Sequence, residues 1–125
     1  MELMVALSMA AILMTACCSI YKQNLCEMNE IEKEIDYRAN VRIAMDFLCD
    51  RIKEAKSITP GCNTIKIDSD TIYIRNDILR AADDAQQVAC GIVFMEVEAV
   101  NADGLMKVIV KSNREKATTF VCKRK

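Results

Sequence analysis

The stretch from Glu2 to Tyr21 reads ELMVALSMAAILMTACCSIY, and it decides how the rest of the chain is organised. Its 19 residues from Leu3 to Tyr21 carry no charged side chain, and the carboxylate of Glu2 stands directly before them. About 20 apolar residues in a helix are enough to cross the hydrocarbon core of a bilayer. A carboxylate at the edge of such a run is costly in hydrocarbon, which indicates a function and a partner for Glu2.

The helix that begins in this stretch is predicted to continue well beyond it. The strongest breaker in the chain is Pro60-Gly61, so one helix is predicted from about Glu2 to about Lys56, roughly 80 Å in length. Its second half carries apolar residues at 4-3-4-3 spacing, which are Val41, Met45, Leu48, Ile52 and Ala55. A similar stripe lies at Met28, Ile31 and Ile35. Several acidic pairs are four residues apart, so packing of the apolar face is expected to stabilise this helix.

After the breaker the apolar period changes from that of a helix to that of a strand. Residues Thr64–Asp68 and Thr71–Asn76 alternate apolar and polar side chains around Asp68-Ser69-Asp70, which predicts a hairpin. A short third strand is predicted at Ile78–Ala82, and a loop at Asp83–Gln87.

Two longer strands and a closing strand are predicted in the last third of the chain. Gly91–Val100 places Val93, Met95, Val97 and Ala99 on one face and Glu96 and Glu98 on the other. After a turn at Asn101–Gly104, Leu105–Ser112 places Met106, Val108 and Val110 opposite Lys107 and Lys111. The glutamates are expected across from the lysines, which is a favourable cross-strand arrangement. Ala117–Lys123 is expected to close the sheet.

The pattern therefore predicts an α+β fold, with a long N-terminal helix packed against a small antiparallel sheet. The predicted domains are the helix, 1–56, and a β head, 57–125. About 65 residues are too few to bury a large core alone. The apolar stripe of the second half of the helix is expected to supply the missing surface.

Composition excludes several classes of function. The chain has no histidine, which excludes Ser-His-Asp and Cys-His catalysis and imidazole metal sites. It has no tryptophan and only three glycines, so base-stacking platforms and glycine-rich phosphate loops are not expected. A formal net charge of −1 gives no reason to expect nucleic acid. We therefore expect neither an enzyme nor a cofactor.

Two loops contain oxygen ligands of the kind that calcium prefers, Asp68-Ser69-Asp70 and Asn101–Asp103. Neither has the spacing of an EF-hand loop, and Asp and Asn are also the residues that turns favour. The preferred interpretation is turn chemistry, with no metal site.

Seven cysteines require an explanation. No two have the spacing of a zinc ribbon or a thioredoxin-like motif. Cys17 and Cys18 are interpreted as small apolar side chains of the helix. If the head lies in an oxidising space, disulfides are expected among Cys49, Cys62, Cys90 and Cys122, whose three full pairings the sequence does not distinguish.

The order of these features, an acid, an apolar helix and then a charged helix, resembles the N-terminus of type IV pilin-like proteins. That family includes the minor pilins and the type II secretion pseudopilins, whose motif has the form Phe-Thr-Leu-Ile-Glu-Leu after a short basic leader. Glu2-Leu3 match its last two residues, and Met1 stands where Ile or Met is usual. The segments Arg38–Lys56, Asp70–Asp77 and Gly91–Gly104 more loosely resemble the PilW-like minor pilins.

The resemblance implies a structural subunit that waits in the bacterial inner membrane, with its head outside the cytoplasm. Its helix would then move into a surface fibre or a periplasmic pseudopilus. Glu2 would pair with the N-terminal amine of a neighbouring subunit, and Leu3, Val5 and Leu7 would pack beside it. The implied partners are membrane lipid, other pilin-like subunits and the assembly machinery of the inner membrane.

Two other interpretations remain open at this point. Met14-Thr15-Ala16-Cys17 is similar to a bacterial lipoprotein cleavage site, at which Cys17 would carry lipid. Against it, the residues before this site contain an acid and no Lys or Arg, unlike a signal peptide. The third interpretation is a single-pass anchored protein of another role, which leaves the Glu2 motif unexplained.

Overall fold

The computed structural model of this chain describes residues 1–81 and 86–124. One α-helix, α1, runs from Glu2 to Glu54, which confirms the predicted long helix. Across the described residues it is followed by β1 (Ile58–Thr59), β2 (Gly61–Cys62), β3 (Thr64–Ile67), β4 (Asp70–Arg75), β5 (Ile78–Ala81), β6 (Gln86–Cys90), β7 (Ile92–Ala99), β8 (Leu105–Ser112) and β9 (Lys116–Cys122).

The strands form two antiparallel sheets instead of one. The first sheet has the order β1-β3-β4-β5-β6 and the second has the order β2-β7-β8-β9. The chain passes from one to the other through Gly91, whose φ of 71° lies in the left-handed region that glycine adopts without strain. The α+β class is confirmed, and the predicted hairpin between β3 and β4 forms with Ile67 opposite Asp70.

The chain divides into two compact units, Met1–Ile35 and Asp36–Lys125. The first unit contains only the first part of α1. The second contains the rest of α1 together with both sheets. The predicted division at residue 56 follows the change from helix to strands and stays a prediction.

The core of the second unit lies between the end of α1 and the two sheets. The predicted helical stripe is buried over its whole length, which is Val41, Met45, Leu48, Ile52 and Ala55. The sheets contribute residues from both layers, among them Ile65, Ile72, Leu79, Met95, Val108 and Val110. The amphipathic pattern of this half of the helix is therefore satisfied inside the chain.

The end of α1 is fixed by a side chain from the β3–β4 turn. The carboxylate of Asp68 accepts hydrogen bonds from the backbone N–H groups of Lys56 and Ser57, at 3.0 and 2.7 Å, and from the Ser57 hydroxyl. These bonds hold the pKa of Asp68 below its ordinary value, because they favour the charged form. Asp68 also has a positive φ of 53°, which Asp tolerates better than most residues.

Asn63 joins the two sheets. Its backbone N–H donates to the carbonyl of Met95 at 2.7 Å, and its side-chain oxygen accepts from the Met95 N–H at 3.1 Å. Its own carbonyl accepts a bond from Ile74 N–H at 3.1 Å. One residue with a φ of 58° thus bonds to β7 in one sheet and to β4 in the other.

The predicted inner face of β7 is correct only in its centre. Met95 and Val97 are buried as predicted, but Val93 is exposed and Ile92 takes its place inside. The reason is a register shift between Ile92 and Phe94 against β8, which changes the phase of the alternation. Ala99, near the end of the strand, is exposed as well.

The β8 strand follows its prediction, with Met106, Val108 and Val110 buried. Of the expected cross-strand charges, Glu98 lies opposite Lys107, whereas Glu96 lies opposite Ile109. The predicted loop at Asp83–Gln87 lies partly outside the described residues, and its last two residues belong to β6.

Candidate assembly surface

The first compact unit presents an apolar helix whose large side chains are exposed. Leu3 is 78% exposed and Leu7 67%, and Val5 is more than half exposed. The large apolar side chains beyond them are exposed in the same way as far as Ile35. This includes Met28 and Ile31, the stripe that the sequence placed before the buried one. Such a surface is suited to lipid or to another apolar helix.

The few polar side chains inside the apolar run are satisfied within the helix. The Ser8 hydroxyl donates to the Val5 carbonyl at 2.9 Å, and the Thr15 hydroxyl donates to the Ile12 carbonyl at 2.8 Å. The Ser19 hydroxyl donates to the Thr15 carbonyl at 2.9 Å. These hydroxyls therefore present no unsatisfied hydrogen-bond donor to hydrocarbon, where such a donor would cost on the order of several kcal/mol.

By length and composition, α1 can cross a membrane. Its most apolar 18-residue window has a mean hydropathy of 2.2, and no residue in that window is buried. A signal sequence near an N-terminus passes the same test. What this establishes is a helix suited to a membrane, followed by a β head.

Glu2 lies in the first turn of α1, at the edge of the exposed apolar surface. A carboxylate is favoured there, because the N-terminal end of a helix carries a partial positive charge. Within residues 1–81 and 86–124, no ion pair to Glu2 is formed. Glu2, Leu3, Val5 and Leu7 thus lie within the first two turns of one exposed helical segment.

All seven cysteines are free, so the structure does not support the predicted disulfides. The four candidates lie on different elements: Cys49 on α1, Cys62 on β2, Cys90 at the end of β6 and Cys122 at the end of β9. Cys49 and Cys122 line the same groove without forming a bond. Partial burial is the main cause that raises the pKa of the Cys49 thiol, which lowers its reactivity at neutral pH. Cys17 and Cys18 are exposed on the apolar helix.

The first of the two loops considered for calcium uses its carboxylates within the fold. Asp68 accepts the backbone bonds described above, and Asp70 lies 3.8 Å from Arg51 in an ion pair. Across the residues that the structure covers, no three His, Cys, Asp or Glu side chains are grouped as metal ligands. The contacts of Asp68 and Asp70 agree with the turn interpretation, whereas the absence of a metal site stays a prediction.

The polar face of the second half of α1 carries exposed ion pairs. Arg38–Glu115 joins the helix to the loop before β9, and Lys53–Asp50 lies within the helix. Arg38 Nε lies 2.9 Å from Glu115 Oε1, and Lys53 lies 3.8 Å from Asp50. Arg51 also stacks over the Phe47 ring at 5.3 Å. Exposed ion pairs of this kind contribute about 0–1 kcal/mol each to stability, so they do not determine the fold.

Two contacts within the fold were not predicted from the sequence. The Asp68 carboxylate binds the segment that follows α1, which lies 11–12 residues earlier in the chain, and Gly91 lies against the ring of Tyr37. The only available signal for the first was the Asp-Ser-Asp turn, which gave the correct hairpin but no indication of what the side chain binds.

Comparison of the chain with protein-family models, with curated proteins and with solved structures finds no match. The likeness to pilin-like proteins therefore rests on the residues of the N-terminal helix and on the fold class.

Proposed function

We propose that this chain is a structural subunit of the pilin-like type, anchored in a membrane by the first part of α1 and later assembled through it. The observation that carries the proposal is the fully exposed apolar surface of the first unit, whose hydroxyls are satisfied internally. Such a helix is equally suited to lipid and to a bundle of similar helices.

Assembly on this basis costs little, because one apolar environment replaces another. Packing between helices in a membrane depends on close van der Waals contact and on a few polar pairs. Glu2 supplies the polar pair, since a carboxylate drawn into an apolar bundle needs a cation from the neighbouring subunit. The β head remains outside the bundle and makes the lateral contacts.

The test replaces Glu2 and follows the protein to two places, the membrane and sheared surface fibres. Glu2→Ala is expected to leave the amount in the membrane unchanged and to reduce the amount in fibres about tenfold or more, as loss of a buried charge pair predicts. Glu27→Ala is the matched control, because Glu27 is an exposed glutamate of the same helix. Equal incorporation of Glu2→Ala and wild type would contradict the assembly role.

The mass of the native protein separates this proposal from the lipoprotein interpretation. A chain that begins near Glu2 with a modified amine supports assembly as a pilin-like subunit. A chain that begins at Cys17 with attached lipid overturns the proposal. In the structure, Cys17 lies in the middle of a continuous helix, which supports the first outcome.

A further inference from the structure

The β9 strand lies at the edge of the second sheet. In the sheet order β2-β7-β8-β9 it pairs with β8 on one side, and no strand of the described residues pairs with its other side. Its pairing with β8 is continuous, from Leu105 opposite Cys122 to Lys111 opposite Lys116. An unpaired strand edge presents a row of backbone N–H and C=O groups that can pair with another chain.

The backbone groups that face this open edge can be identified from the hydrogen bonds at its two ends. Ser112 N–H donates to the Glu115 carbonyl at 2.7 Å, and Lys123 N–H donates to the Gly104 carbonyl at 3.0 Å. In an antiparallel pair, residues alternate between those that bond to the partner and those that face away. The residues that bond to β8 are therefore Ala117, Thr119 and Val121. The residues that face the open edge are Lys116, Thr118, Phe120 and Cys122.

This edge lacks the usual protection against pairing. Natural edge strands carry inward-pointing charges, prolines or bulges. In β9 the only charged residue is Lys116 at its start, proline is absent, and the register with β8 has no shift. The inner stretch Ala117–Cys122 is uncharged and contains the β-branched Thr118, Thr119 and Val121. Phe120 is 60% exposed.

Two separate cavities, together called the groove, lie between β9 and α1 within the second compact unit. Just beyond the strand, the outward-facing Arg124 N–H already donates to the Lys53 carbonyl at 3.3 Å. Near the end of the strand the groove measures about 600 Å³, between Cys49–Glu54 of α1 and Thr119–Arg124. Near the start of the strand it measures about 270 Å³, between Arg38–Asp46 of α1 and Glu115–Ala117. A neighbouring strand would lie about 4.8 Å from β9, so it would occupy this space.

The groove is more positive than the chain as a whole. Its cationic side chains are Arg38, Arg42, Lys53, Lys116, Lys123 and Arg124. Its carboxylates are fewer: Asp46, Asp50, Glu54 and Glu115. The excess lies beyond the two ends of the uncharged stretch, whereas the chain has a formal net charge of −1. A partner that fits is uncharged in its middle and acidic at its ends.

We propose that the open edge of β9 binds an extended segment of another protein as an additional antiparallel strand. Backbone hydrogen bonds supply the affinity, and acidic residues at each end of the segment pair with the basic ends of the groove. A second copy of this chain fits less well, because it would bring two positive grooves together. The inference goes beyond the proposed function, since it needs neither Glu2 nor a fibre.

The first test measures amide hydrogen exchange in the full chain, held in detergent micelles. The probe is a synthetic seven-residue peptide of alternating valine and threonine with an aspartate at each end. Without the peptide, the amides of Ala117, Thr119 and Val121 are expected to be protected, and those of Thr118, Phe120 and Cys122 to exchange freely. The peptide is expected to protect the second set. Unchanged exchange at Thr118, Phe120 and Cys122 at saturating peptide would overturn the proposal.

The second test blocks the edge without disturbing the sheet. Thr118→Pro removes an N–H that faces outward, so the pairing with β8 is retained, and Thr118→Val is the matched control that keeps the N–H. Thr118→Pro is expected to weaken peptide binding about tenfold or more at an unchanged melting temperature, and Thr118→Val to bind like wild type. A peptide with lysine ends is expected to bind about fivefold more weakly, as two exposed charge pairs allow.

Three results of the second test count against the proposal. If Thr118→Pro and wild type bind the peptide equally well, the edge of β9 is not the binding site. If the aspartate-ended and lysine-ended peptides bind equally well, the partner does not need acidic ends. A dimer of the full chain that forms without peptide, and that Thr118→Pro abolishes, would assign the edge to a second copy instead.

Discussion

The two halves of α1 meet different surroundings although they belong to one helix. In the second half a single stripe is buried, and Leu48 and Ile52 have no exposed surface. In the first half the large apolar side chains are exposed, with Leu3 at 78%. The second half is completed by the two sheets of its own chain. The first half is left exposed by the described residues, and this exposed surface is the basis of the proposed function.

The sharpest way to break this comparison is to place a charge in the buried stripe. Leu48→Asp is expected to abolish cooperative unfolding of the head, because burying an unpaired carboxylate costs on the order of several kcal/mol. The whole free energy of unfolding of a small domain is only about 5–15 kcal/mol. Even Leu48→Ala should cost about 2–5 kcal/mol. The measurement is thermal unfolding of the detergent-solubilised chain by circular dichroism.

Ile43→Asp is the matched control, since Ile43 lies on the same part of the helix but is half exposed. It should shift the melting temperature by a few degrees at most. A head that unfolds at the same temperature with Asp at 48 as at 43 would show that the stripe does not form the core.

The complementary change places a charge in the exposed half. Leu13→Lys is expected to weaken membrane insertion by about 2.5–3.5 kcal/mol, because an ammonium group is costly at the centre of a spanning helix. The head should keep its melting temperature, since Leu13 is exposed in the first unit. Extraction of membranes at alkaline pH measures the first effect. A variant that stays fully in the membrane would contradict anchoring by this segment.

A smaller effect is expected where the chain passes between the sheets. Gly91→Ala should destabilise the head by about 1–2 kcal/mol, because φ is 71° and an added Cβ would lie 3.2 Å from the Tyr37 ring. Gly104→Ala is the comparison, with a φ of 87° and an added Cβ that would meet one atom, Lys123 Cβ at 3.3 Å, instead of two ring atoms. Denaturant unfolding should show a larger loss for Gly91→Ala. Equal losses would mean that the Tyr37 contact adds nothing to the backbone strain.

The smallest effect concerns Asp68 and acid. The pKa of Asp68 is lower in the folded chain than in the unfolded chain. Its contribution to the stability of the head is therefore present above the unfolded pKa and is lost as pH falls through the folded pKa. The head should therefore lose stability below about pH 4, by the ordinary pKa of Asp. The Asp68→Asn variant should be less stable than wild type at pH 7, and it should lose less stability than wild type between pH 5 and pH 3. Parallel stability curves for variant and wild type over that range would argue against this role.

The sequence predicted those features that depend on local periodicity. The buried stripe from Val41 to Ala55 and the inner face of β8 follow from spacing alone, because each element has one buried face and a fixed period. The hairpin at Asp68-Ser69-Asp70 follows from turn chemistry. Leu3, Val5 and Leu7 are exposed, and their role in assembly stays a prediction, as does that of Glu2.

The features that the sequence did not predict depend on contacts between distant residues. The bulge beside Val93 is set by the pairing of β7 with β8, and a shift by one residue moves a side chain to the opposite face. The split into two sheets follows from the backbone at Asn63 and Gly91 and from pairings made across the head. The disulfides expected from the number of cysteines were not supported, since composition gives no distance between two sulfur atoms.

Asn63 has a mechanical consequence. Because it bonds to Met95 in one sheet and Ile74 in the other, neither sheet can separate from its neighbours without releasing bonds of the other. A head pulled from its two ends should therefore rupture in one event and not sheet by sheet. Below that force the head should extend very little, because both sheets resist the pull together.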